Sequence, residues 1–383
     1  MPRAELSDTP SAGAPADARA RAMLAALAVL WLALAWVSDG VFLSPRNLVN
    51  LAVQASAVGV MACGMVLVIA ARQIDLSIGS VLGFTGMVIA GLQVQGGLFD
   101  APLPWPAALA AGIALACAIG AWHGAWVAYA RLPSFLVTLA GLLVFRGAAW
   151  LVSDGRTLAP LDDAYTRIGG GLGGAIGAPA TWAIAAAACA AIAAARWRAP
   201  LHALPALAAL IACAAIANAV PGPDGTSAGA PLPVLVLGAV ALGVHGLATR
   251  TRFGRHVFAI GGSPIAAELA GIDVRGVTLR AFALLGALSG VAAALTTARL
   301  GAATNSMGTQ TELAVIAAAV LGGTSLAGGA GSAGGAVLGA LWMQSLENGM
   351  VLLDVTSALR QVVIGLVLIA AVAADTRARR DAR

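Results

Sequence analysis

An all-α, polytopic transmembrane helical bundle is the fold class that three observations predict. The 383 residues are 60% hydrophobic and only 10% charged, against roughly a quarter charged in ordinary soluble domains. Mean hydropathy is +0.90. Apolar runs of helix-spanning length recur along the chain. They do not alternate polar and apolar as the strands of a membrane barrel would.

Taken in order, residues 1–20 are rich in Ala, Pro, Ser and Asp and predict a disordered cytoplasmic tail. Residues 21–375 form the membrane domain, and 376–383 a short basic cytoplasmic tail. The first apolar run has no convincing cleavage site, so it is expected to stay as a first helix. Candidate spans fall near 22–38, 48–71, 76–94, 105–130, 134–152, 180–196, 199–219, 231–249, 277–298, 312–323, 332–350 and 358–374. The 312–350 region also fits one re-entrant pair, so the range is about 10–12 helices. Glycine and alanine abound inside these spans and let helices approach closely.

All 22 basic residues are arginine. If all twelve spans cross, arginines 3, 19, 21, 72, 131, 196, 198, 250, 252, 255, 275, 280, 377, 379, 380 and 383 share one side. Arginines 46, 146, 156, 167, 299 and 360 lie on the other side or within a span. This bias predicts both termini in the cytoplasm. The net charge of +5 is therefore a topology signal and not a nucleic-acid footprint. The loops around Pro102–Trp105, 153–179 and 221–225 are then outside. Trp105 and Trp182 sit where an interfacial aromatic belt would be.

The most informative stretch interrupts two apolar runs at Ala71–Ser80. Arg72, Gln73, Asp75, Ser77, Gly79 and Ser80 are costly if lipid sees them. Two readings are open: a cytoplasmic turn, or a lining of a watery cavity. A second small-residue break, Leu321–Gly331, reads as its late mirror, with Thr324 and Ser325 as hydroxyl pair. Gly335 to Gly339 echoes Gly79 to Gly83. Paired breaks, one per half, predict an internal pseudo-repeat with a solute path at its interface.

The polar segment 250–280 contains Ser263 as N-cap, Pro264 as first helical residue and Gly271 as stop. It predicts a short helix over 264–270 with Ile265 and Leu269 on one face. Such a helix suits docking into a partner's groove, or lying on lipid as a linker.

Chemistry elsewhere is sparse. Cys63, Cys117, Cys189 and Cys213 lie in apolar segments, and His123, His202, His245 and His256 are scattered, so no metal site is expected. No cofactor motif, no nucleophile–base pair and no Gly-x-x-x-x-Gly-Lys loop occurs, and the chain has no lysine. An enzyme is not expected. Few titratable groups lie in the spans, which argues against coupling to ion gradients. Asp75 is favoured as a cap of the following helix over a contact to solute. Ser77 and Ser80 suit bonds within their own helix. Glu312 opens a span; Glu347 and Asn348 lie late in one, near the outer surface. Asn50 and Gln54 share a face of the second span, which suits either a solute route or an interhelical hydrogen bond. The candidate translocation path is Asn50, Gln54, Asp75, Ser77, Thr324, Ser325, Glu347 and Asn348.

From about Asp39 to Asp375 the chain resembles the permease subunits of bacterial ABC importers for monosaccharides, the ribose and xylose type. The resemblance is carried by Phe42-Leu-Ser-Pro-Arg-Asn-Leu48, Gly64–Ile69 with Ile74–Ser80, and Pro133–Gly141 with Phe145-Arg-Gly147. It continues in Phe253-Gly-Arg255, Ala259–Gly262, Ala266–Ala267 with Gly271–Ile272, and Leu321–Gly329. The extra spans between 180 and 250 and the Leu346–Met350 segment look most like xylose permeases. The resemblance implies a permease homodimer in the bacterial inner membrane. It also implies a separate cytoplasmic ATPase and a periplasmic sugar-binding protein. It makes Pro264, Ile265, Ala266, Ala267, Glu268, Leu269 and Gly271 the ATPase-coupling helix. The chain departs from the family at Ile265 and Glu268, where glutamate and arginine are frequent, so ion pairs of relatives do not carry over. The expected function is passage of a monosaccharide, a pentose such as xylose. The alternatives are a stand-alone secondary transporter or channel and, more remotely, an intramembrane enzyme.

Overall fold

The computed structural model describes residues 14–94, 101–171, 173–196, 203–222 and 225–380. Of the expected 1–20 tail, only 14–20 are described, and they open the first helix; residues 381–383 of the basic tail lie outside the described residues.

The bundle is built on α2 (Pro45–Ala70), whose stretch from Val58 to Ala71 is buried throughout. Local rules set its start: the Ser44 hydroxyl accepts from Asn47 N, and Pro45 stands at the first helical position. α1 (Ala14–Val37) precedes it; α3 (Ile78–Gln93), α4 (Trp105–Ala128) and α5 (Ser134–Leu151) follow. Next come short α6 (Asp163–Thr166), then α7 (Gly177–Ala195), α8 (Leu204–Asn218) and α9 (Leu232–Arg250). α10 (Arg252–Gly262) and α11 (Pro264–Leu269) form the polar segment. α12 (Val274–Leu300), α13 (Thr311–Leu321), α14 (Ala333–Leu352) and α15 (Ser357–Arg380) complete the chain. Among the described residues, each of the twelve expected spans contains a helix and no strand forms.

α2, α4, α5, α7, α9 and α12 are each long and apolar enough to cross a membrane. Contacts fix their directions. Gly64 of α2 packs against Leu285 and Leu288, while Asn50 meets Arg299, so α2 and α12 are antiparallel. Gly120 of α4 packs on the backbone of Phe282 and Gly286, and Gly124 on Leu279, so α4 also opposes α12. At these crossings an added Cβ would strike the other helix, the close approach that small residues permit. The 250–280 segment and the α2–α3 link share one face, called here the loop face; the opposite one is the cleft face.

α3 and α13 do not span alone. At 16 and 11 residues they reach ~24 and ~17 Å, short of a ~30 Å hydrocarbon core. Each is completed by an extended link. Ser289 Oγ donates to Ile78 O at 3.2 Å, which places the start of α3 ~22 Å along α12. Residues 71–77 therefore run inward from the loop face, held by Ile74 N donating to Ser134 Oγ (3.2 Å). Residues 301–310 run inward from the cleft face to the start of α13. The two half-helices meet N-terminus to N-terminus at mid-depth, in opposite orientation.

The counterpart of the 71–80 break is thus 301–312. The sequence pairing of 71–80 with 321–331 rested on composition. The 321–331 turn instead sits at the loop face, where Gly329 N donates to Ala70 O (2.9 Å) and Gly331 faces Val66.

On the cleft face, Tyr165 is fully buried and ties short α6 to α12. Its hydroxyl bonds Thr297 Oγ1 (2.6 Å) and donates to Ala294 O (3.2 Å). Burial pushes its phenol up to about 12 from an ordinary value near ~10. The folded state favours the neutral phenol, so its stabilisation is complete below pH ~10 and is lost as pH rises towards 12. Tyr165→Phe should cost about 1 kcal/mol, because Thr297 keeps its bond to Ala293 O. Thermal melts of the detergent-solubilised protein should show that the fall in Tm above pH ~10 shrinks in this variant.

Candidate functional site

Three places gather the candidate residues, at three depths. At the cleft face, Arg46, Asn47 and Asn50 of α2, Gly170 and Arg299 line a cavity of about 530 Å³. That is within the ~300–1,000 Å³ of small-molecule sites. A second, smaller cavity of about 70 Å³ shares Val53 and Arg299 with it and is lined by Gln54 and Ala57. Arg299 donates to Asn50 Oδ1 at 3.1 Å. Asn47 Nδ2 donates to Phe42 O (2.8 Å) and to Asn348 Oδ1 (3.0 Å). Asn348 therefore stands behind the lining and orients Asn47. Glu347 lies beside it and accepts from Gln344 Nε2 (2.8 Å). Amide and guanidinium groups both suit hydroxyl oxygens of an uncharged solute. Below Ala57, α2 is closed by buried Val58, Val60 and Met61, so the cleft opens on one face only.

At mid-depth, Asp75 and Ser77 are buried. Asp75 Oδ1 accepts from Ser77 N (2.8 Å) and Ser77 Oγ (2.6 Å), an Asx turn that opens α3. Ser77 Oγ lies 3.5 Å from His123 Nδ1. Asp75 does not cap α3 itself: the N-cap is Ser77, which makes no side-chain cap bond, and Asp75 instead braces Ser77 just ahead of the helix. Two facing helix N-termini place like partial charges together. Glu312 answers this: it sits in the first turn of α13 and its carboxylate packs against Gly79 in the first turn of α3. Arg146 of α5 holds the incoming 301–310 link by donating to Met307 O (2.7 Å) and Asn305 O (3.3 Å).

At the loop face, Thr324 and Ser325 are fully buried, and neither hydroxyl has a hydrogen-bond partner among the described residues. They lie far from the cleft. Beside them, α10 and α11 form an angled pair. Thr251 Oγ1 caps α10, accepting from Gly254 N (3.3 Å), and Ser263 Oγ caps α11, accepting from Ala266 N (3.2 Å). Gly271, at φ +79°, takes the left-handed turn that ends the segment. α11 stops at Leu269, one residue before the expected end. Ile265 and Leu269 are 74% and 85% exposed, while Ala267 is 4% exposed and faces the protein. Pro264, Ala266 and Glu268 complete the helix.

Sequence reasoning missed Arg46, Asn47 and Arg299 at the cleft, and His123 and Arg146 at mid-depth. A charge within or beside a span was the available signal. It missed α10 as well, whose apolar residues recur at Phe253, Val257 and Ile260.

A multi-pass bundle with a polar cleft on one face, opposed half-helices at its centre and an exposed apolar helix on the other face defines a membrane permease. Residues 47–372 match the permease component of branched-chain amino acid transport systems. The chain belongs to this permease family and is a transport component, not an enzyme. It is 39% identical over 374 residues to the xylose transport system permease protein XylH of Escherichia coli K12, covering 94% of this chain and 92% of that one. Against XylH of Haemophilus influenzae identity is 41% over 366 residues, with 92% and 95% covered. The ribose import permease protein RbsC of Escherichia coli K12 is 33% identical over 339 residues, with 88% and 87% covered. No solved structure matches the chain.

Proposed function

We propose that this chain is the permease subunit of an ATP-driven importer that passes a pentose, xylose above others, across the bacterial inner membrane. The observation that carries this reading is the 39% identity to a xylose permease over 94% of the chain. The polar cleft, sized for a small solute, supports it. The loop face carries Arg72, Arg131, Arg250, Arg252, Arg255, Arg275 and Arg280 and is assigned to the cytoplasm, with both termini. The cleft then faces the periplasm, where a sugar-binding protein delivers the substrate.

The working unit is a permease homodimer in lipid, with a separate ATPase docked on α11 of each copy. Asn50 and Gln54 form the upper path, with Glu347 and Asn348 behind it. Asp75, Ser77, Thr324 and Ser325 belong to the segments that must move for the lower half to open. Alternation follows if ATP binding and hydrolysis favour different states of the bundle.

Proteoliposomes holding permease, ATPase and sugar-binding protein should take up xylose only with ATP. Uptake that persists without ATP or without the ATPase would instead indicate a stand-alone transporter. Arg299→Ala removes the cation that holds Asn50 in the cleft wall. It should lower xylose uptake by roughly tenfold while leaving basal ATP hydrolysis unchanged.

A further inference from the structure

Arg72 stands where glycine would be easier. Its φ is +62°, in the left-handed region that side chains disfavour. A strained residue persists where its side chain does something the surroundings need. Here the guanidinium reaches across to α10. Nε donates to Gly261 O and Nη2 to Gly262 O, both at 2.7 Å. These are last-turn carbonyls of α10, unpaired within the helix and at its negative end, so a cation there is doubly favoured. The next residue, Ser263, is the N-cap of α11. Gly261 itself packs on Ala70 O, Gly328 lies against the aliphatic part of Arg72, and Gly329 N donates to Ala70 O. The end of α2, the α10–α11 corner and the 322–331 turn therefore meet at one arginine.

We infer that Arg72 is the clamp that passes movement of α11 to the buried half-helix α3. The route is short and covalent beyond the clamp. From Arg72 the extended link reaches Ser77 in five residues, and Ser77 opens α3. A shift of Ser263 carries the Gly262 carbonyl with it, pulls Arg72 and drags the 71–77 link along the α5 surface at Ser134 and Thr138. Arg72 acts as a positioning residue and touches no solute. The inference rests on the importer reading, because it needs a partner that moves α11.

Arg72→Gly separates clamp from fold, since glycine relieves the backbone while removing both hydrogen bonds. In the three-component proteoliposomes, Arg72→Gly should insert, bind the ATPase and hydrolyse ATP as wild type does. Its xylose taken up per ATP should fall by about tenfold, within the 5–150-fold span of ordinary coupling between sites. Arg72→Lys keeps the charge but not the fork, and should fall between wild type and glycine. An unchanged ratio of uptake to hydrolysis in either variant overturns the clamp. Should Arg72→Gly fail to insert, the lysine variant alone decides. Wild type that shows no ATP-dependent uptake would defeat the importer reading, an outcome distinguishable from a normal ratio in the variants.

Discussion

Gly79→Ala is expected to disable the protein by prying apart its centre. The added methyl would meet the Gly308 carbonyl and the Glu312 carboxylate, and lie 3.2 Å from Glu312 N. The contact is reciprocal, because a Cβ on Gly308 would meet the Gly79 carbonyl, and Gly308 has φ +70°. The Glu312 carboxylate can swing aside, but the Gly308 carbonyl is backbone and yields only if the 301–310 link shifts. Overpacking of this kind costs about 1–3 kcal/mol, with more where backbone must shift. Displacing Glu312 also leaves two like helix ends facing each other. We expect a fall in Tm of several degrees in detergent, since ~1 kcal/mol moves Tm by roughly 2–4 °C in chains of this order of size. Uptake should fall with it. Gly238→Ala is the matched control. Its added methyl meets nothing within 4 Å, so it should be neutral or stabilising by up to about 1 kcal/mol. Equal melting of the two variants would remove the head-to-head contact as a structural constraint.

Ile265→Asp with Leu269→Asp should abolish ATPase binding without affecting insertion. Both side chains stand out from the loop face, one turn apart. If the ATPase covers them, each is an apolar anchor, and anchors of this kind cost about 2 kcal/mol or more when lost, near a 30-fold change in Kd. Co-purification of permease and ATPase measures it directly. Association as strong as in wild type would make α11 a linker on lipid. Ala267 is the wrong site for such a test: it faces the protein, so a large residue there unseats the helix itself.

Particular residues show how far the sequence could be read. Ser263, Pro264 and Gly271 bounded α11 to within one residue, because caps and stops act over three or four positions. Asp75 was legible as a residue at the start of α3, but it holds Ser77, the N-cap, and satisfies no N–H of the helix itself. Glu312 was legible only as the start of its own helix; that it also serves α3 depends on Gly79, which lies 233 residues earlier in the chain. Arg72 looked like a topology marker and proved to be held by carbonyls 189 and 190 residues away. The 321–331 break matched 71–80 in composition but not in depth, since a glycine-rich turn reads alike at a surface and at mid-membrane.

Hydropathy, arginine bias and capping chemistry alone determined a helical membrane protein, its twelve apolar segments and the exposed helix between α10 and α12. Those signals are local or additive along the chain. Only the tertiary structure decided that two of the segments begin at mid-depth and meet, that Arg299 and Asn50 build one cleft wall, and that Arg72 joins three distant segments. Depth and partnership arise when helices pack, and close packing is set by where small residues on separate helices coincide.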